Sequence, residues 1–437
     1  MKESDTVNED AEYDVIIAGA SVSGCAAAML LARQGARVAL VERRTDMAAY
    51  KVLCTHYLQP CAVPVLEELG LTGELEKAGA VRTGPRWYTR WGWTEARPGP
   101  GARPLPYAYN IRRSTLDPLL RARAAATPGV DLLLGHTVAG LISEGGRTAG
   151  VRVGTAVGER TLRARLVVGA DGKDSTVAAL SALPVRRHGN ARFIYLAHFR
   201  NLPLKDAMTY AWYLEPDQVF AMPSDDDVTV VVLLLGKEKL AAFREDLEGS
   251  FMAYARSLPG LEDIDGAERI TKVTGTVNYP LHTRRPTAAG LALIGDAALT
   301  TDPLWGVGCG FALQSAQWLA HAVGPVAPRP AAVDRALGDY RRRHRRGLRG
   351  HHFMSVDYAR GRRFNVFERL MFCAAVHDPH IARHLHLFAS RLIGPAKLMS
   401  PAPMLRAVLA VLRHRHRSRQ AAAATPPSGL AWSGSER

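Results

Sequence analysis

Residues 13–42 read YDVIIAGASVSGCAAAMLLARQGARVALVE. The first six, YDVIIA, form an apolar run of strand length, as expected of a parallel strand covered on both faces. A turn follows at Gly19-Ala-Ser21-Val-Ser-Gly24, then a helical stretch over 23–34, then a second strand, ARVALVE, ending at Glu42. This is a βαβ unit. The dinucleotide fingerprint asks for Gly-x-Gly-x-x-Gly at the junction of strand and helix. Gly19 makes the tight turn and Gly24 lets helix and strand pack closely. The middle position, where backbone approaches a pyrophosphate, is Ser21, a small residue that adds a hydroxyl. A pyrophosphate here meets the free N–H groups and favourable dipole of a helix N-terminus. Glu42 stands where an acid accepts ribose hydroxyls and disfavours a 2′-phosphate, so FAD or NAD is expected rather than NADP. The bland alternative is an ordinary βα turn.

With 437 residues, 47% of them hydrophobic, the chain can bury a large core, and two or three domains are expected. A net charge of +15 favours acidic partners: a polyanionic dinucleotide or an anionic membrane surface. Nucleic acid is set aside because no fold signature accompanies the charge. Five cysteines, an odd number without paired or metal-type spacing, suit a reducing compartment. The acidic start MKESDTVNEDAEYD is the opposite of a signal peptide, and the longest apolar runs fall short of the roughly 20 residues that span a bilayer. A cytoplasmic protein is expected. The histidines at 344, 351, 352, 377, 380, 384 and 386 lack accompanying carboxylates and lie in a basic region, so no metal site is read there.

Further along, 81–109 is rich in Arg, Gly, Pro and Trp and reads as a hairpin insertion. NIRRSTLDPLLRARAAA reads as a helix with Ser114 or Thr115 as N-cap. Alternating segments over 131–172 read as a β-meander, and those over 192–235 as an antiparallel sheet followed by one or two helices near 238–256. GLALIGDAA returns to a buried strand and GFALQSAQWLAHAV is a helix. The expected fold class is α/β, a doubly wound Rossmann-type FAD-binding domain (12–80, 110–184 and 286–330) with an inserted antiparallel-sheet substrate domain (81–109 and 185–285). A helical C-terminal region (331–419) follows, with loose ends at 1–11 and 420–437.

Three more segments carry a family resemblance. Arg113-Ser-Thr-Leu116-Asp117-Pro-Leu-Leu120 resembles the Arg-x-x-Leu-Asp-x-x-Leu helix of the FAD-dependent aromatic-hydroxylase-like superfamily (group A flavin monooxygenases), which is related to flavin halogenases and geranylgeranyl reductases. Val167-Val-Gly169-Ala-Asp171-Gly172 resembles its Asp-Gly segment. Here Ala178 stands where the family continues with arginine, which puts NADPH contacts at that spot in doubt. Leu293-Ile-Gly295-Asp296-Ala-Ala298 resembles the strand end whose aspartate binds a ribityl hydroxyl, with Ala298 where the family often has His. Asp302-Pro303-Leu-Trp305-Gly306-Val-Gly308-Cys309-Gly310 resembles the loop that faces the isoalloxazine and opens a helix. The resemblance covers most of 13–325. It implies FAD as cofactor, held by Gly19, Ser21, Gly24, Glu42, Arg43, Arg113, Val138, Asp171, Gly295, Asp296, Pro303, Gly306, Gly308 and Cys309.

The same resemblance implies a monooxygenase that hydroxylates or epoxidises an apolar or aromatic small molecule through a flavin C4a-hydroperoxide, in specialised natural-product metabolism. NAD(P)H is the implied electron donor, directly or through a flavin reductase, and molecular oxygen the co-substrate. Such chemistry needs a dry, apolar site. Two alternatives carry specific residues. Halogenases have a Trp-x-Trp-x-Ile-Pro segment where this chain has Val219-Phe220-Ala-Met222-Pro223, lacking both tryptophans. Prenyl-type reductases have a Lys-x-Cys-Gly element that Tyr50-Lys51-Val-Leu-Cys54 resembles loosely, with no glycine after Cys54. A non-catalytic flavoprotein is a further class.

Substrate contacts are sought among Trp87, Tyr88, Trp91, Trp93, Tyr107 and Tyr109, with hairpin packing as the rival reading. Tyr210, Trp212, Tyr213, Phe220 and Met222 alternate along strands, so only one face of them can line a pocket. No catalytic acid or base stands out: His56 and His282 are candidate local proton donors, with satisfied structural histidines as the default reading, and Cys309 is read as a small buried hydrophobe. Near the end, Leu405, Val408, Leu409 and Leu412 follow helical spacing beside Arg413-His-Arg-His-Arg417. Such a basic amphipathic helix either rests on an anionic membrane or packs, solvated, on the flavin domain.

Overall fold

Continuous apolar strands need covering on both faces, and the computed structural model shows how that is met. It describes residues 12–97, 104–202, 204, 206–324 and 330–424; the N-terminal stretch to Ala11 and the tail from Thr425, both expected to be loose, lie outside them. The first strand, Glu12–Ala18, pairs in parallel with Val38–Glu42 on one side and Gly158–Gly169 on the other. Leu291–Leu293 extends this parallel array beyond Gly158–Gly169, and Val130–Leu134 extends it beyond Val38–Glu42. Arg147–Thr155 and Thr137–Glu144 add the meander antiparallel to Gly158–Gly169. Helix Val22–Ala32 is buried along its whole length against this sheet and helix Val307–Val323. That is why its sequence is apolar all round.

The second sheet runs in the order Glu268–Arg269, Arg192–Arg200, Val228–Gly236, Gln218–Pro223, Thr209–Tyr213, Pro85–Thr89, Gly92–Thr94. It is antiparallel except where Thr209–Tyr213 pairs in parallel with Pro85–Thr89. The parallel pair arises because the chain passes through the first domain between those strands. The hairpin insertion is thus shared: Val81–Thr83 and Ala108–Asn110 instead pair with each other in a small sheet with Tyr57–Leu58.

Strand alternation divides this sheet's side chains. Tyr210, Trp212, Val219 and Ala221 pack with Phe243 and Phe251 of the helices behind it. Ala211, Tyr213, Phe220 and Met222 face the other way, toward the C-terminal helices Val366–His377 and Pro379–Ala389.

Several expected boundaries move. The first helix runs Val22–Ala32, and the one expected at Gly310 begins at Val307. The last helix, Pro401–Ala424, runs past Gln420 into the stretch expected to be loose. It packs through Ala407 and Met404 on the other C-terminal helices rather than on the first sheet and its helices, and leaves Leu405, Val408, Leu409 and Leu412 exposed. Among the described residues, no helix is long and apolar enough to cross a membrane. The N-cap of helix Arg113–Ala125 is Arg112, not Ser114 or Thr115. The acceptor is supplied from the second sheet: Asp225 takes the Arg112 backbone N–H at 2.6 Å and the Thr115 hydroxyl at 2.6 Å.

Candidate functional site

The glycine turn is shaped by contacts that leave no room for side chains. Gly19 has φ +104°, and a Cβ there would sit 2.6 Å from the Ala170 carbonyl oxygen. A Cβ on Gly24 would lie 1.8 Å from the Gly19 oxygen. Both requirements match the roles read for the first and third glycines. Ser21 Oγ accepts a hydrogen bond from Arg113 Nη2 at 2.7 Å, so the hydroxyl is tied to the arginine of the second motif. Glu42 is buried, and its carboxylate accepts the backbone N–H groups of Ala20 (2.9 Å) and Arg44 (3.0 Å), which fixes the turn to the end of the second strand. Exposed Arg43 follows it. Buried Val138 lies two residues beyond His136, whose backbone N–H donates to the Glu42 carbonyl at 3.0 Å.

Arg113 is buried and forked onto Asp117, with Nε donating at 2.8 Å and Nη2 at 2.9 Å. Burial by itself would lower its pKa, but the anionic neighbours Cys54 and Asp117 outweigh that and the net shift is upward. Cys54 Sγ accepts from the His56 backbone N–H at 3.3 Å and from Arg113 Nη1 at 3.8 Å. A hydrogen bond with Cys309, aided by Arg113, holds the Cys54 thiol well below its ordinary pKa, while Cys309 is pushed well above. Cys309 is buried, as read, yet it has a polar partner that its sequence gave no hint of.

Lys51 Nζ reaches Asp296 at 3.1 Å, and that carboxylate raises the lysine's pKa. The two residues are 245 apart in the chain. Asp171 is occupied otherwise: its carboxylate accepts from the Ser175 hydroxyl and, at 3.1 Å, from the Val177 N–H, capping the short helix Thr176–Leu180. Ala178 is buried there.

Gly295 (φ +56°) packs against Ser23, and the loop after it is anchored at Asp302. Asp302 is completely buried, forked by Arg192, and accepts from the Tyr279 hydroxyl at 2.7 Å and the Leu304 N–H at 2.9 Å. Past Pro303, Trp305 (φ +62°) and Gly306 (φ +62°) both adopt left-handed backbone. Gln59 holds this turn by donating to the carbonyls of Trp305 (2.9 Å) and Ala389 (2.7 Å). A Cβ on Gly308 would meet no protein atom within 4 Å, so helix Val307–Val323 begins against open space. Open backbone at a helix start, a carboxylate at Asp296 and a second helix start at Val22 are the donor and acceptor set that a flavin dinucleotide requires.

An apolar pocket adjoins the turn, lined by Trp305 and Gly306 and by Trp87, Ala211, Tyr213, Phe220 and Met222. Of the insertion aromatics only Trp87 lines it. Tyr88 and Trp93 pack behind the sheet, Tyr109 in the first core with Tyr107 against it, and Trp91 sits beside the C-terminal helices. Tyr210 and Trp212 also point away, as alternation requires. His56 is satisfied on both ring nitrogens, accepting from the Arg113 N–H (3.1 Å) and meeting His198 Nε2 (3.1 Å). Burial lowers its pKa, and it lowers that of His198 to about 4. His282 Nε2 has no partner among the described residues.

The family model described as FAD binding domain matches residues 12–348. The chain belongs to the FAD binding domain family. This flavoprotein is 36% identical over 186 residues to the 6-methylpretetramide 4-monooxygenase of Streptomyces rimosus, which covers 41% of this chain and 43% of that one. The chain therefore spans less than half the length of that relative. It is 24% identical over 321 residues to the digeranylgeranylglycerophospholipid reductase of Picrophilus torridus, covering 71% of this chain and 78% of the other. Its fold is that of the myxobacterial chondrochloren halogenase CndH, with a TM-score of 0.70 at 22% identity over 92% of this chain and 97% of that chain.

Proposed function

We propose that this flavoprotein is a monooxygenase that inserts one oxygen atom into an apolar or aromatic small molecule of specialised metabolism. The observation that carries it is the apolar cavity directly against Trp305 and Gly306, at the turn that opens helix Val307–Val323. When bound and reduced, FAD supplies the activation of molecular oxygen. The chain's own residues do the rest. The Gly19–Gly24 turn and helix Val22–Ala32 take the pyrophosphate, Glu42 with Arg43 and Val138 the adenosine, and Arg113, Gly295 and Asp296 the phosphates and ribityl chain. Asp171, whose carboxylate is held by Ser175 and Val177, borders the phosphate turn at Gly19. Pro303, Gly306, Gly308 and Cys309 border the ring, and the N-terminus of Val307–Val323 favours negative charge developing there. Trp87, Tyr213, Phe220 and Met222 exclude water and orient the substrate. NAD(P)H supplies the electrons, directly or through a partner reductase. A cytoplasmic location is proposed, with peripheral membrane contact through exposed Leu405, Leu409 and Leu412 beside Arg413.

Stopped-flow absorbance tests the chemistry. Holoprotein is reduced without oxygen, then mixed with oxygen, with and without chloride. A transient that matches neither oxidised nor reduced FAD, decaying at a rate independent of chloride, is expected. Chloride-dependent decay points to halogenation instead, and direct return to oxidised FAD in the presence of aromatic ligands overturns both. Cys54, with its lowered pKa beside Arg113 in the Lys51–Cys54 segment, favours a second reading as a double-bond reductase. That reading requires consumption of a prenyl double bond without oxygen.

A further inference from the structure

The net charge is not spread over the chain. Residues 341–420 hold 18 Lys and Arg against three acids, an excess of +15 that equals the whole net charge, so the rest of the chain balances. The three acids are already taken: Asp357 and Glu368 by Arg362, and Asp378 by Arg406. The same region carries exposed apolar side chains. On helix Pro330–Tyr358, Arg342, Arg346, Arg349 and Phe353 follow helical spacing along the solvent side, and Phe353 is 69% exposed. Arg346 and Arg349 make no ion pair among the described residues. The turn after Pro379–Ala389 lies against this helix: Arg391 Nη2 donates to the Gly347 carbonyl at 3.4 Å, and a Cβ on Gly350 would meet Pro395 Cγ at 2.7 Å. Exposed Leu392 and Met399 belong to that turn. It leads straight into helix Pro401–Ala424, whose Arg406 is pinned by Asp378 at 2.7 Å and whose Ala407 is fully buried. Leu405, Val408, Leu409 and Leu412 lie on the side away from Ala407, at spacings of three and four residues, with exposed Arg413 beside them. No acidic residue occurs in 401–424.

An apolar helical stripe edged by arginine and free of acids is the signature of a helix that lies in the interface of an anionic bilayer. Two rival occupants fit less well. A second copy would bring two surfaces of the same high charge together, and four half-exposed side chains fall well short of the roughly 1,200–2,000 Å² that a stable pair buries. An acidic protein would need a packed apolar anchor at the centre of the patch, whereas here the apolar side chains protrude singly from two helices and a turn. We propose that the C-terminal region is one docking face for a bilayer of anionic phospholipid. Helix Pro401–Ala424 enters the headgroup layer through Leu405, Leu409 and Leu412, while Arg346 and Arg349 pair with lipid phosphates beside Phe353. This rests on the proposed function only for the idea of peripheral contact, to which it gives a lipid class and a face.

Co-sedimentation of the FAD-loaded, full-length protein with vesicles tests it. The vesicles are phosphatidylcholine alone, or phosphatidylcholine and phosphatidylglycerol at about three to one. The anionic vesicles should bind at least about tenfold more tightly, and salt at about 0.5 M should abolish the difference, because exposed charges are then screened. Arg346→Gln with Arg349→Gln should weaken that binding about tenfold or more, since each arginine near such a surface is worth about fivefold. Leu405→Gln with Leu412→Gln should weaken it about tenfold. Both pairs sit at exposed positions, and flavin absorbance confirms that each variant is loaded. Val157→Gln, 93% exposed on a hairpin of the first sheet, should change nothing. Equal binding to both kinds of vesicle, or binding to neither, overturns the proposal, as does an equal loss in Val157→Gln. Loss in only one of the two pairs removes either the charge or the insertion, and the proposal falls; loss in the arginine pair alone is the mark of an acidic protein partner. A lower sedimenting mass without lipid in the leucine pair assigns the stripe to a second copy, and the proposal falls likewise. Should the leucine pair lose FAD, Leu409→Gln takes its place with the same expected direction. None of these outcomes touches the stopped-flow behaviour, which judges the oxygen chemistry separately.

Discussion

Two glycines of the site make opposite demands, and a methyl group on each tells them apart. Gly24→Ala drives a Cβ into the Gly19 oxygen, so the turn must open. Overpacking of this kind costs about 1–3 kcal/mol, and both the melting temperature and FAD retention should fall, read by calorimetry and by flavin absorbance after gel filtration. Gly308→Ala meets no protein atom. Inside a helix it should leave the FAD-free protein unchanged or more stable by up to about 1 kcal/mol, while FAD binding weakens severalfold in a fluorescence titration. Equal FAD affinity in Gly308→Ala would remove that glycine from the cofactor site. Gly19, Gly24 and Glu42 could be read in advance because their constraint is local: a turn between neighbouring elements. The partners of Arg113 and Asp296 could not all be. Asp117 lies in the same motif, but Lys51 and Cys54 approach only when the chain folds back, and nothing in their spacing announces it.

Gln59 and Asp225 show how connecting segments hold the elements in place. Gln59 is fully buried and satisfies two carbonyls from distant parts of the chain. Gln59→Leu leaves both without a donor, and a loss of about 1–3 kcal/mol per carbonyl is expected in urea denaturation. Asp225→Ala removes the acceptor of the Arg112 N–H and the Thr115 hydroxyl at the start of helix Arg113–Ala125, a loss of about 1–3 kcal/mol, and hydrogen exchange at Arg112 should accelerate ahead of the rest of the chain. Unchanged exchange there would mean that Arg112 is capped by other means. The helix itself was readable from its periodicity, whereas its start was not: a serine and a threonine at 114 and 115 are good caps locally, but His56 takes the Arg113 N–H and Asp225, 110 residues away, takes the Thr115 hydroxyl. The C-terminal helices were likewise readable as helices. That they wall the cavity was not, because their basic, histidine-rich surface conceals an apolar inner face at Met371, Phe372, Leu385 and Phe388.

Burial lowers the pKa of His198, His282, His344, His351, His352 and His386 to about 4 in every case. In the unfolded chain histidine titrates near 6.5, so between about pH 6.5 and 4 the unfolded state binds more protons. The stability these groups contribute is therefore complete above about pH 6.5 and is lost as the pH falls toward 4. Calorimetry across that range should show the melting temperature dropping steadily. A flat profile would mean that these rings take up protons in the fold. Three of the six bridge separate parts: His352 donates to the Thr300 carbonyl (3.2 Å), His351 to that of Phe388 (3.0 Å), and His386 to that of Pro106 (3.2 Å). Acid should therefore loosen the cavity wall early.

Asp225 has one more consequence, for anyone building chimeras. A carboxylate at a turn of the second sheet holds the start of helix Arg113–Ala125, so the two parts are not interchangeable modules. A second sheet transplanted from a relative would bring its own turn in place of Ser224–Asp227, and the recipient's Arg112–Thr115 would lose its anchor. Grafting would succeed only when donor turn and recipient helix start travel together.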